Sequence, residues 1–180
     1  MNTLAYCAAS FARRMERLAG ATPLTCPPLT DETFDPSLLQ GRDFVWFKLH
    51  GRRNERYWYG DNWTTALSAD RIASADLRGA VVFVSNCWLY QGHTGREVPG
   101  PMMIALIQAG AKAVIGGGGP NYARDDRVAG SDLLGLYVRF FLNLGLSAKR
   151  AFNGAQIRLA IARRDILTAD TRTFRLWEPA

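Results

Sequence analysis

Two short apolar runs punctuate the chain, Phe44-Val45-Trp46-Phe47-Lys48-Leu49 and Val81-Val82-Phe83-Val84, each aromatic or β-branched and each closed by turn-forming residues. Runs of this length and make-up predict strands buried on both faces of a parallel sheet. A third, Lys112-Ala113-Val114-Ile115, enters Gly116-Gly117-Gly118-Gly119-Pro120. Weaker strand signals lie at residues 3–9, 24–26 and 173–177. Helical periodicity marks residues 11–18, with an arginine-rich outer face and a stop at Gly20, then residues 66–74, 102–108, 132–144 and 147–162, the last capped by Ser147. Residues 21–41 carry Pro23, Pro27, Pro28 and Pro36 and read as an extended connection. Residues 57–63 read as a small hairpin. The alternation of strands and helices predicts one α/β domain over residues 1–180, a sandwich with a mostly parallel central sheet.

In such a sheet the residues just past the carboxyl ends of neighbouring strands face one crevice. The first run ends at His50-Gly51 and the second at Ser85-Asn86-Cys87. The residues between them suffice for the crossover that parallel neighbours require. A thiol becomes a useful nucleophile beside an imidazole base, and Gly51 lets backbone approach a substrate with no Cβ in the way. In this reading the N–H groups of Gly51 and Cys87 form an oxyanion hole, each donor contributing ~2.7 to 4 kcal/mol in the transition state. The same residues also read as a buried thiol and a strand-end histidine, and taken alone they favour that plainer account.

Composition narrows the choice. An apolar content of 48% with 21% charged residues describes a globular domain, and the first twenty residues carry Arg13, Arg14, Glu16 and Arg17 where a signal peptide needs an apolar core. Cys7, Cys26 and Cys87 are odd in number and widely spaced, which argues for a reducing, cytoplasmic setting and against a zinc site; no metal or other cofactor is expected. The formal charge of +6 comes from nineteen arginines and only three lysines. They are scattered along the chain without a nucleic-acid-binding motif, so neither nucleic acid nor membrane insertion is expected.

The order strand-His-Gly, crossover, strand-small-x-Cys, glycine-rich loop, Gly110-Ala111-Lys112-Ala113-Val114-Ile115 and a late Gly145-Leu146-Ser147-Ala148-Lys149-Arg150-Ala151-Phe152 resembles the caspase-like (clan CD) cysteine peptidases. It is closest to the CHAT branch, with echoes of the gingipain branch. The resemblance implies a three-layer αβα sandwich and a Cys-His dyad, with Cys87 as nucleophile and His50 as general acid and base. It implies a protein or peptide substrate, a separate activating protein and, for bacterial relatives, a role in defence. The caspase motif Gln-Ala-Cys-x-Gly is absent, since Trp88-Leu89 follow Cys87, and Ser85 stands where metacaspases have aspartate. The interval from His50 to Cys87 is also shorter than the roughly 50 residues of caspases.

Substrate preference is open at this level. Asp125 and Asp126 read as acceptors of a P1 arginine or lysine, or as capping and solvated residues; Arg52, Arg53 and Arg124 equally suit an acidic residue. Trp88, with Tyr57, Trp58, Tyr59 and Trp63, reads as a peptide subsite or as ordinary packing. His93, on the loop beyond the cysteine, ranks below His50 as base. Two other classes compete. A non-catalytic caspase-like interaction domain keeps the fold without the chemistry. A nucleotide-binding domain would use Gly116 to Gly119, but the run lacks Gly-x-x-x-x-Gly-Lys, and Pro120 removes an N–H donor.

Overall fold

The structure, a computed structural model, describes residues 1–91, 98–121, 129–162 and 169–179. In chain order its strands and helices are β1 (Thr3–Ala8), α1 (Ala12–Ala19), β2 (Leu24–Cys26), β3 (Phe44–Lys48), β4 (His50–Gly51), β5 (Tyr57–Tyr59), β6 (Thr65–Ser68), α2 (Ala69–Ala73) and β7 (Val81–Val84). They continue as β8 (Tyr90–Gln91), β9 (Val98–Pro99), α3 (Pro101–Gln108), β10 (Ala113–Gly117), α4 (Gly130–Asn143), α5 (Ala148–Ala162), α6 (Ala169–Arg172) and β11 (Phe174–Trp177).

Six strands form the central sheet in the order β11-β10-β7-β3-β1-β2, parallel throughout except for the antiparallel edge strand β11. The two apolar runs are direct neighbours, in register as Trp46 with Phe83 and Phe47 with Val84. Their alternating side chains feed two cores. On one face Val45, Phe47, Val82 and Val84 pack with Ile72 of α2 and Met102, Met103 and Leu106 of α3. On the other, Phe44, Trp46, Val81 and Phe83 pack with Met15 of α1, Leu134 and Val138 of α4 and Phe152 of α5. These are the three layers of an αβα sandwich, and burial of both faces explains why the strands lack polar alternation.

The crossover from β3 to β7 differs from the expected hairpin followed by a helix over 66–74. Residues 65–68 form β6, and the helix begins only at Ala69. β4, β5 and β6 make a small antiparallel sheet in which His50 faces Tyr59 and Trp58 faces both Gly51 and Leu67. Trp58 is buried and its ring lies 5.0 Å from that of Phe47, so the small sheet is anchored on the end of β3. That anchoring outweighs the helical spacing of Ala66, Leu67, Ala69 and Ile72, because Leu67 gains a cross-strand partner in Trp58. The short helix α6 before β11 has no counterpart in the sequence reading.

Candidate active site

The carboxyl ends of β3 and β7 are joined by three hydrogen bonds that the local sequence supplies. Ser85 N donates to Phe47 O at 2.8 Å, extending the ladder by one residue past β7. Trp46 Nε1 donates to Ser85 Oγ at 2.8 Å, and Leu49 N donates to Asn86 Oδ1 at 2.6 Å. Asn86 is fully buried, so its side chain ties the segment after β3 to the segment after β7 from within. Beyond them, Gly51 lies directly against Cys87. A Cβ placed on Gly51 would fall 2.2 Å from the Cys87 carbonyl oxygen and 3.4 Å from its nitrogen, so no other residue fits there without moving backbone.

His50 is half-buried between rings, 5.6 Å from Phe11 and 5.7 Å from Trp63 by centroid. Burial holds the imidazole below its ordinary 6.5; Asp61 pulls the other way and Lys48 adds to the lowering. Asp61 is itself held by Ser10, whose N and Oγ both donate to it at 2.7 Å. Burial pushes the Cys87 thiol above its ordinary 9.0, opposed by the Asn121 N–H and by Lys48. Burial therefore favours the uncharged form of both groups, the neutral imidazole and the neutral thiol. His50 makes no side-chain hydrogen bond among the described residues. Sγ instead sits 3.1 Å from Asn121 N, which donates to it, and 3.6 Å from Asn121 O. The other cysteines, Cys7 and Cys26, are buried in the core, and burial pushes the Cys7 thiol up to about 12.

Beneath the site runs a buried charge pair. Lys48, the last residue of β3 and two before His50, donates to Asp132 in the first turn of α4. The lysine side chain is 3% exposed and the carboxylate 0%, and Arg14 approaches the same carboxylate at 3.6 Å. The Lys48 ammonium also lies 5.1 Å from the Phe11 ring centre. Nearby, Arg52 stacks over Trp63 at 4.2 Å and Arg53 over Trp88 at 5.6 Å, so the tryptophan packed on His50 and the one after Cys87 each carry a cation.

Of the residues singled out in the sequence, Gly51 lies against Cys87, His50 and Trp88 are their chain neighbours, and Arg53 stacks on Trp88. Asp125, Asp126, Arg124 and His93 lie outside the described residues. Sequence reasoning missed Lys48, Asp61, Asn86, Asn121 and Asp132. A lysine inside a buried apolar run was the one available signal, because a buried ammonium demands a partner. The glycine run is a strand end: Gly116 and Gly117 belong to β10, where they pair with Arg175 and Phe174, and no helix opens within it. Among the described residues no cluster of three His, Cys, Asp or Glu could hold a metal ion, and no helix is long and apolar enough to cross a membrane.

No protein-family model matches the chain, and no curated protein matches it. Among solved structures it is similar to the Arg-specific cysteine proteinase gingipain R (RGPB), with a TM-score of 0.60 and 12% identity over 98% of this chain. The match covers 46% of that proteinase, so the chain spans about half its length. The likeness is one of fold: a mixed α/β, caspase-like sandwich around a mostly parallel six-stranded sheet.

Proposed function

We propose that this chain is a cysteine endopeptidase acting on a protein partner, with Cys87 as nucleophile and His50 as general base and acid. The observation that carries the reading is the packing of Gly51 backbone onto Cys87 at adjacent strand ends, in a fold shared with a cysteine proteinase. Sγ attacks the scissile carbonyl carbon while His50 takes the thiol proton, and a C–S bond forms. The oxyanion is met by the Cys87 N–H, which donates to no acceptor among the described residues, and by that of Gly51. His50 returns the proton to the leaving amine as the C–N bond breaks. Water, deprotonated by His50, then cleaves the thioester, releasing the acid and restoring the thiol.

The rim supports Trp88, with Arg53 stacked on it, as part of the peptide subsite, while Asp125 and Asp126 are our candidates for a P1 pocket. The motif order favours the CHAT branch, with a separate activating protein and a cytoplasmic role in bacterial defence. Proteome-wide mapping of new N-termini tests the assignment, comparing wild type with Cys87→Ala and His50→Ala. Each variant should fold and lose cleavage by about a thousandfold or more. Cleavage by Cys87→Ala equal to wild type ends the peptidase reading. Absence of cleavage by the wild type, with or without lysate to supply an activator, turns the balance to a non-catalytic interaction domain.

A further inference from the structure

Asn121 is hydrogen-bonded to the cysteine turn through both its side chain and its main chain. Its side-chain Nδ2 donates to the carbonyl oxygens of Asn86 at 2.8 Å and Ser85 at 3.3 Å, and its main-chain N–H is aimed at Sγ from 3.1 Å. The approach of this segment is built into the glycine run. Trp88 N donates to Gly119 O at 3.2 Å and Leu89 N to Gly117 O at 3.0 Å, so residues 117–121 run beside residues 85–89. A Cβ on Gly118 would fall 2.3 Å from the Tyr90 ring, which explains why a bare backbone is needed at that crossing. Pro120 has no N–H to offer, which makes Asn121 the first donor after Gly119.

We propose that Asn121 is the positioning residue of Cys87: its main-chain N–H holds the sulfur as charge develops on it, and its side-chain amide fixes that N–H in place. The proposal rests on the reading of Cys87 as nucleophile. A bond from N–H to a negative acceptor is stronger than one to a neutral acceptor, so the contact favours the thiolate over the thiol. Burial raises the Cys87 thiol, and the Asn121 N–H is the larger of the two influences opposing it, ahead of Lys48. At rest the thiol belongs to Asn121 rather than to His50, and the donor is in place before the imidazole takes the proton.

The test is the pH dependence of Cys87 alkylation by iodoacetamide in the full chain, with thermal melts as the check on folding. Asn121→Ala removes both anchors and should raise the thiol pKa by about one unit, slowing alkylation at pH 8 roughly tenfold. Asn121→Asp should raise it further, because a carboxylate would face two carbonyl oxygens and the thiolate. In 15N-labelled wild type the Asn121 amide proton should shift in step with thiol ionisation. Unchanged thiol pKa values in folded variants overturn the proposal. If both variants misfold, the wild-type amide decides: a resonance indifferent to the thiol overturns it and one that follows the thiol supports it. None of these readouts needs a substrate, so a chain that cuts no peptide defeats the peptidase reading alone.

Discussion

The two ends of the parallel sheet solve the same backbone problem with different residues. At the amino ends, the turns before β3, β7 and β10 place Gly41, Gly79 and Gly110 in the left-handed region, where a missing Cβ removes the steric cost. At the carboxyl ends, the left-handed positions among the described residues are Asn54, Asn62, Trp63 and Trp88, with φ between 55° and 64°. Asparagine tolerates that region, but tryptophan there stores strain of about 1 to 3 kcal/mol. Trp63 packs on His50, and Trp88 follows Cys87 directly. The amino end is built for stability, whereas the carboxyl end accepts strain to present particular side chains.

Three experiments sharpen this contrast, taken from the largest expected effect down. Asp132→Ala leaves Lys48 buried without its partner carboxylate, and chemical denaturation should show a loss of about 3 to 5 kcal/mol. A loss below about 1 kcal/mol would mean that the floor of the site does not depend on this pair. Next comes a paired substitution across the sheet. Gly79→Ala meets no atom within 4 Å at φ +86°, so it should cost only the backbone penalty of about 1 to 2 kcal/mol and leave turnover intact. Trp63→Gly relieves strain and should change stability by under about 1 kcal/mol, while kcat falls about tenfold as His50 loses a packing wall. Equal behaviour of the two variants would erase the distinction between the ends.

The smallest effect expected is a flat line. In the proposed mechanism the pair reacts in the protonation state that holds one proton between thiol and imidazole. His50, lowered by burial, loses its own extra proton below 6.5, and Cys87, raised by burial, keeps its thiol proton to above 9.0. The profile of kcat/KM against pH should therefore have its acid limb below 6.5, its alkaline limb above 9.0 and little change between. An alkaline limb near neutrality would instead report a preformed ion pair.

The strands that place the site were legible because burial on both faces leaves an uninterrupted apolar run, as in Val81-Val82-Phe83-Val84, and α4 was legible from its periodic apolar face. The order of strands was harder, since the pairing of β3 with β7 depends on what lies across the sheet. β6 was misread because two strand residues, Ala66 and Leu67, fell in helical phase with α2; only the pairing of Leu67 with Trp58 distinguishes the two states. Within the site, His50, Gly51 and Cys87 were readable as residues whose chemistry follows a strand end. Asn121 was not, because it reaches Cys87 through a glycine run that looks like a loop until its hydrogen bonds to Trp88 and Leu89 are seen. Asp61 was hidden for a similar reason: its partner, Ser10, lies beyond the end of a different strand.

The contact between Gly51 and Cys87 separates two kinds of loss. In the proposed mechanism a change of Cys87 or His50 removes reactivity, while the backbone contact of Gly51 with Cys87 stays in place. A side chain at position 51 would meet the Cys87 carbonyl oxygen and push the two strand ends apart, whatever chemistry the cysteine does. Glycine at position 51 is therefore a requirement of shape, separate from any requirement for a thiol at position 87.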